Sequence, residues 1–453
     1  MGAEGSPQHS LPAFLVAAAV VAMGYTLQWT HGHYVGDAIA IVATSLVFVL
    51  LALSVRARIP IPVLWVVGGS IAAQLYLMSV VAPTIEMTGL RDPRQMLWFH
   101  MGLAVTGVLA GSALGEKPPL PRAWFPLVLA VWTAMAVLIL KLAPNPLIDV
   151  FTVEVESLQA LLHGTNPYGI TFANPYGDNS PFFPPGVSVN GRLQFGFVYP
   201  PLALLLCLPG YLAFGDPRYS MLAAMVGAAL LMGYSRPGAW PKLVAVVFLF
   251  TPRAFFVLDR AWTDSFVVLL TALVAFVALR FPKYLFIAAG LYLALKQHMF
   301  IGIPALMLLI PRPWTVKTVV TLGLKAGGVA LLVTLPFVAW GPAAFVNSVL
   351  NIREVYRLDS LGLVAHLANQ NIVRMSKWSG LLGVIPVAAL TLWRAPRSAA
   401  GFALAAGATH FMLYFLSTHA FCNEYYNVIG SLCVALAVWG AGPIKNVDGA
   451  KAA

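Results

Sequence analysis

From its N-terminus the chain alternates between long apolar runs and short polar connections. Apolar runs cover residues 12–31, 36–55, 61–82, 96–115 and 123–142. Each has the length, about 17 to 23 residues, with which an α-helix crosses roughly 30 Å of hydrocarbon while satisfying its own backbone hydrogen bonds. The longest polar stretch follows, residues 143–196, rich in Pro, Gly, Asn and aromatic residues. Structureless loops of that length are uncommon unless they serve a function, so short helices lying at the membrane surface are expected, one of them over residues 150–163. Further runs occupy 197–214, 219–234, 241–258, 265–280, 284–296, 298–311, 318–340, 376–393, 398–416 and 425–442. The two-residue alternation of a β-barrel is not present. The pattern predicts an all-α, polytopic transmembrane bundle of about 13–15 helices. It shows no internal repeat of the kind found in many transporters.

Composition agrees with this pattern. Of 453 residues, 60% are hydrophobic and 9% charged, and the mean hydropathy is +0.82. That leaves too little polar surface to coat a soluble globule of this size. The net charge of +11 comes from 27 Lys+Arg against 16 Asp+Glu. Most of the basic residues sit in short connections, which is a topology signal. Connections carrying Arg56 with Arg58, Lys117 with Arg122, Arg280 with Lys283, Arg312 with Lys317, and Arg394 with Arg397 are assigned to the cytoplasmic side. Residues 143–196 then lie on the outer face, in a plasma membrane. Counting forward from the fifth run and back from the C-terminus disagrees by one crossing between 197 and 258, so one of those three runs is not a full span. The division expected is N-terminal helices over 1–120, a main body over 121–442, and a cytoplasmic tail over 443–453. A nucleic-acid reading would need a basic patch with stacking aromatics on a soluble element, and none is present. Cys207, Cys422 and Cys433 show no metal spacing. The first run lacks a positive leader and a cleavage site, and is expected to be a membrane helix.

Ionisable groups at a membrane edge are costly and mark candidate sites. In DVFTVEVES, Asp149 and Glu156 are seven apart and share one helix face, while Glu154 points elsewhere. A solvated acidic loop is the plainer reading of this stretch taken alone. LDRAWTDS brings Asp259, Arg260 and Asp264 to the outer mouth of a helix. LKQHM sets Lys296, Gln297 and His298 between two apolar runs, where they either bind an anionic headgroup or snorkel. His419 and Glu424 in the last outer loop leave the same choice open. Walker A, GxGxxG, HExxH and GxSxG motifs are all missing. The lack of an Asp-x-Asp pair argues against a nucleotide-sugar diphosphate held through a metal. No motif requires a cofactor, although the acidic residues leave room for a divalent metal.

The order of these segments resembles the GT-C superfamily of polytopic glycosyltransferases, most closely the polyprenyl-phosphate-sugar-dependent family 87. An Asp after an outward helix is followed by HGTNPYG (His163 to Gly169) and FVYPPLALLLCLP (Phe197 to Pro209). DRAWTDSFVVLL comes next, where the family tends to show Arg-Gly-Gln-Asn-like residues. Then come ALKQHMFIGIPALMLLIPRPW, where it shows Lys-Pro, and ANQNIVR (Ala368 to Arg374), where it shows Asn-Gln-Ser. The match covers about residues 140–440. Ala261-Trp262, Lys296-Gln297 and the second Asn of Asn-Gln-Asn depart from the family pattern, and the four helices before residue 120 have no counterpart.

The resemblance implies an inverting transferase that moves a sugar, mannose by family habit, from polyprenyl phosphate to a glycolipid or glycan at the outer face of a prokaryotic membrane. Asp149 would be the general base, within about 3 Å of the acceptor hydroxyl. Arg260, Lys296 and His298 would hold the lipid phosphate as its charge grows. Glu156, Asp178, Tyr168, Tyr199 and Glu424 would serve the acceptor or secondary contacts, with Phe172, Tyr176, Phe182 and Phe183 lining the cleft. Two other classes stay open at this point, a transporter or flippase for a lipid-linked sugar and a non-catalytic scaffold.

Overall fold

A computed structural model describes residues 9–80, 93–115, 120–310, 314–350, 357–376 and 378–441. The tail assigned to 443–453, and Lys117 and Arg312 of the basic connections, lie outside the described residues. The chain is 71% helix and 2% strand. Among the described residues, four helices are long and apolar enough to cross a membrane: Leu11–Thr30, Val63–Val80, Trp124–Leu142 and Val316–Trp340.

The N-terminal helices are α1 (Leu11–Thr30), α2 (Ala38–Ser54), α3 (Val63–Val80), α4 (Pro93–Ser112) and α5 (Trp124–Leu142). Ser10 caps α1 by accepting the Ala13 N–H at 3.4 Å, and His31 ends it in the left-handed conformation (φ 57°). Helix α6 (Asp149–Leu162) opens the polar stretch, matching the helix expected there. Three two-residue strands follow, β1 (Phe172–Ala173), β2 (Ser188–Val189) and β3 (Arg192–Leu193), antiparallel in the order β1-β3-β2. The body continues with α7 (Pro201–Phe214), α8 (Arg218–Gly233), α9 (Trp240–Leu249), α10 (Ala254–Asp259), α11 (Asp264–Arg280), α12 (Leu285–Leu293) and the short α13 (Ile303–Leu306). It ends with α14 (Val316–Trp340), α15 (Pro342–Val349), α16 (Leu363–Asn369), α17 (Ser379–Arg394), α18 (Ala399–Phe415) and α19 (Cys422–Ala437).

Burial separates centre from rim. Every residue of α19 except Glu424 is buried, and α18 is nearly as enclosed. In α14 only Ala326 and Phe337 are buried, and Val316, Leu324 and Leu332 stand 81%, 73% and 75% exposed. Apolar exposure on that scale marks a surface that water does not favour.

One end of the bundle carries residues 143–196; the other carries the connections holding Arg56 and Arg394. At the second end Arg56 donates to the Arg394 carbonyl at 2.6 Å, and the Arg397 guanidinium lies 3.7 Å from the Trp314 ring centre. Within residues 197–258, α7 has both of its ends at the same end of the bundle. Its leading residues sit at the first end, where the Tyr168 hydroxyl donates to the Tyr199 carbonyl at 2.8 Å and Gln297 donates to the Val198 carbonyl at 2.5 Å. Its trailing residues return there, because Arg218, just past α7, donates to the Pro144 and Asp259 carbonyls, each at 3.3 Å. The run 241–258 also differs from a plain helix. It breaks at Thr251–Arg253 into α9 and α10, where Pro252 removes a donor and Arg253 takes a φ of 72°.

Candidate functional site

The polar end of the bundle gathers residues far apart in sequence into two adjoining clusters. The first lies at the rim. Asp149 begins α6, and its carboxylate accepts the Tyr176 hydroxyl at 3.2 Å while the Asp149 N–H donates back to that hydroxyl at 3.2 Å. Burial raises the Asp149 carboxyl above its ordinary 3.8; the Tyr176 hydrogen bond, the backbone N–H groups of Val150 and Asp149, and the charge of Arg357 oppose the rise. Arg260 approaches from the α10–α11 turn, donating to the Leu147 carbonyl at 3.3 Å and lying 3.6 Å from Asp259. That turn is tight, since the buried Ala261 adopts a φ of 55°, a conformation that favours glycine. The charge of Arg357 also acts on Asp149. Its guanidinium lies between the Phe182 and Phe421 rings, 5.1 Å and 4.8 Å from their centres, and binds Asp359 through two hydrogen bonds of 2.7 Å and 2.5 Å. Those bonds hold the Asp359 carboxyl below its ordinary value.

The second cluster lies further in. Lys296 donates to Asp264 at 2.9 Å, and its ammonium sits 5.4 Å from the Tyr199 ring centre. Asn423 donates to the same Asp264 oxygen at 2.9 Å and to Glu424 at 2.9 Å, and Glu424 accepts the Phe421 N–H at 3.0 Å, capping α19. Lys296 therefore enters with its charge already matched. Glu154 faces this cluster from α6, fully buried, and its carboxylate accepts no hydrogen bond from any described residue. Desolvation raises its pKa well above 4.5; Lys296 and Arg218 lower it, and Asp216 adds to the rise. The plainest reading of an isolated buried carboxyl is the neutral acid.

The other expected site residues serve elsewhere. His298 turns away from Lys296, its Nε2 lying 3.0 Å from the Tyr414 hydroxyl, which also accepts from Asn427 at 3.0 Å. Glu156 accepts the Ala173 N–H at 3.3 Å and sits 3.8 Å from Arg192, so it anchors the small sheet. Asp178 ties its own turn, accepting from Ser188 at 2.5 Å and from the Gly191 N–H at 2.9 Å and 3.0 Å. These bonds lower its pKa, the Ser188 hydroxyl most. Tyr168 is 2% exposed, packed among Phe197, Phe337 and Phe345. Tyr199 is half-buried beneath Lys296.

Sequence reasoning missed the inward face of Glu154. The signal was there, since Glu154 lies on the same stripe as Leu158 and Leu161, at spacings of four and seven. It also missed Arg357, which belongs to no motif, and the Asp216–Arg218–Asp259 network, where Arg218 pairs with Asp216 at 2.7 Å and lies 3.5 Å from Asp259. Among the described residues no group of three or more His, Cys, Asp or Glu side chains is arranged to hold a metal ion. The chain matches no family model, no curated protein and no solved structure.

Proposed function

We propose that this chain is an integral membrane transferase that moves a sugar from a polyprenyl phosphate to a hydroxyl acceptor, with Asp149 as the base. The observation that carries the reading is the rim cluster. Asp149 combines a proton affinity raised by burial with a fixed hydroxyl partner, the charge of Arg357 acts on it, and Arg260 binds the Leu147 carbonyl two residues away. A base must be within hydrogen-bond reach of the proton it takes, and its affinity must sit nearer the working pH than a free carboxylate allows. Arg260 and Arg357 supply the positive charge that a departing phosphate needs. Lys296 contributes behind them, its ammonium already shared with Asp264.

The exposed apolar flank of α14 and the four long apolar helices support insertion in a bilayer. The basic connections gathered at the opposite end support an outward-facing site by the positive-inside rule. The turn at Ala261 favours aligning DRAWTD with the family segment, because its left-handed backbone suits the glycine that the family carries there.

The test is transfer from radiolabelled polyprenyl-phosphate-mannose into membrane lipid extract by purified protein, comparing the wild type with Asp149→Asn. Loss of a general base should slow transfer by about 10² to 10⁴ at matched folding. Undiminished transfer by the variant would remove Asp149 from the mechanism. Silence of the wild type toward every polyprenyl-phosphate sugar would favour a carrier or scaffold.

A further inference from the structure

A cavity of about 590 Å³ lies between the polar segment and α15, within the roughly 300–1,000 Å³ range of small-ligand sites. Its wall includes Tyr168, Thr171, Gln194, Phe195, Asn347 and Ser348. None of the residues lining the cavity carries a charge, and the Arg192 guanidinium, bonded to Thr171 of the wall, lies 3.8 Å from Glu156, which offsets it. An anionic ligand would therefore lose its hydration there and meet only a cation already offset by Glu156. Amides, hydroxyls and aromatic rings around one space suit instead a ligand with many hydroxyl groups and apolar C–H faces.

The wall is held in place before any ligand arrives. Ser348 donates to the Tyr168 carbonyl at 3.1 Å and accepts the Gly196 N–H at 3.1 Å, joining α15 to both sides of the segment. A side chain at Gly196 would place its Cβ 2.1 Å from the Tyr168 carbonyl oxygen, so only glycine permits this approach. Phe195 is half-buried and braced by Phe172 and Phe183, at centre distances of 6.4 Å and 6.2 Å. Walls fixed in this way reduce the ordering cost of binding. The cavity also stands a short length of chain from the rim cluster. Thr171 in its wall and Tyr176 at Asp149 are joined through β1 by a chain that spans at most about 17 Å when extended.

We propose that this cavity binds the non-reacting sugars of an uncharged oligosaccharide acceptor, whose terminal hydroxyl extends toward Asp149. The proposal rests on the transferase reading for its last clause only; the cavity's preference for neutral glycans stands apart from catalysis. Gln194 and Asn347 are both exposed on the wall, so replacing them leaves the packed interior alone.

The experiment measures binding of labelled short oligosaccharides of glucose, mannose and galactose to purified protein, with uronic-acid oligosaccharides as the charged comparison. Four proteins are compared: wild type, Gln194→Ala/Asn347→Ala, Phe195→Leu and Asp149→Asn. Saturable binding of at least one neutral oligosaccharide is expected, weakened about ten-fold or more in the double variant and in Phe195→Leu but kept in Asp149→Asn. Failure of every neutral oligosaccharide to bind the wild type overturns the proposal, as does equal binding of the uronic-acid series or binding unaltered in both cavity variants. Binding by a wild type that transfers no sugar would uphold the cavity and reject the transferase reading.

Discussion

Asp149 and Lys296 sit at the same end of the bundle and differ in what their surroundings leave available. Asp149 is held by one tyrosine hydroxyl and faces arginines engaged mainly with backbone carbonyls, aromatic rings and neighbouring aspartates. Lys296 is locked into Asp264, which is held in turn by Asn423. A half-satisfied group at a rim can accept a proton or a ligand. A charge-matched ion pair inside a helix bundle holds elements together even though the Asp264 Oδ1 accepts no hydrogen bond from any described residue, and removing either partner leaves a charge without compensation. Lys296 joins the start of α11 to the chain after α12, which makes it a strut before it is a ligand.

The largest effect that would break this contrast is at Lys296. Lys296→Ala should cost about 3–5 kcal/mol of stability, because it strands Asp264 in the interior. Thermal unfolding in detergent would read this directly. A variant as stable as the wild type, with weakened use of the lipid donor, would return Lys296 to the binding site and dissolve the distinction.

Glu154 sharpens the contrast through pH. Its folded carboxyl binds protons more tightly than the usual 4.5 because it is buried. Its protonated form therefore favours the fold fully below that ordinary value, and this contribution is lost as pH rises through the raised one. Glu154→Gln cannot ionise. Its unfolding midpoint should match the wild type near pH 4.5 and exceed it at pH 8. A Gln variant less stable than the wild type at pH 8 would mean that Glu154 is ionised and paired with Lys296.

The smallest change is at Tyr176. Its hydroxyl stabilises ionised Asp149, so Tyr176→Phe should move the acidic limb of the rate profile to higher pH and slow transfer only a few-fold, in line with one hydrogen bond of roughly 0.5–1.5 kcal/mol. An unchanged limb would mean that Asp149 is not the titrating base.

Periodicity along the chain determined most of the helical architecture, including the helix that begins at Asp149. Those features depend on local length and apolar content, which a window of residues contains in full. Which run keeps both ends at one end of the bundle is not a local property. Helix α7 has the apolar face of a short span, and only the Arg218 clamp on Pro144 and Asp259 shows that both of its ends share one side. The same limit applied to α6. Helical spacing grouped Asp149 with Glu156 and turned Glu154 away from them, but which face meets the core was decided by packing, and it buried Glu154 while leaving Glu156 to brace the sheet. Arg357 acts on Asp149 only because packing sets its guanidinium against the Phe182 ring, far from it in sequence. Contacts between residues that far apart are set by the closing of the whole bundle, and no local pattern encodes them.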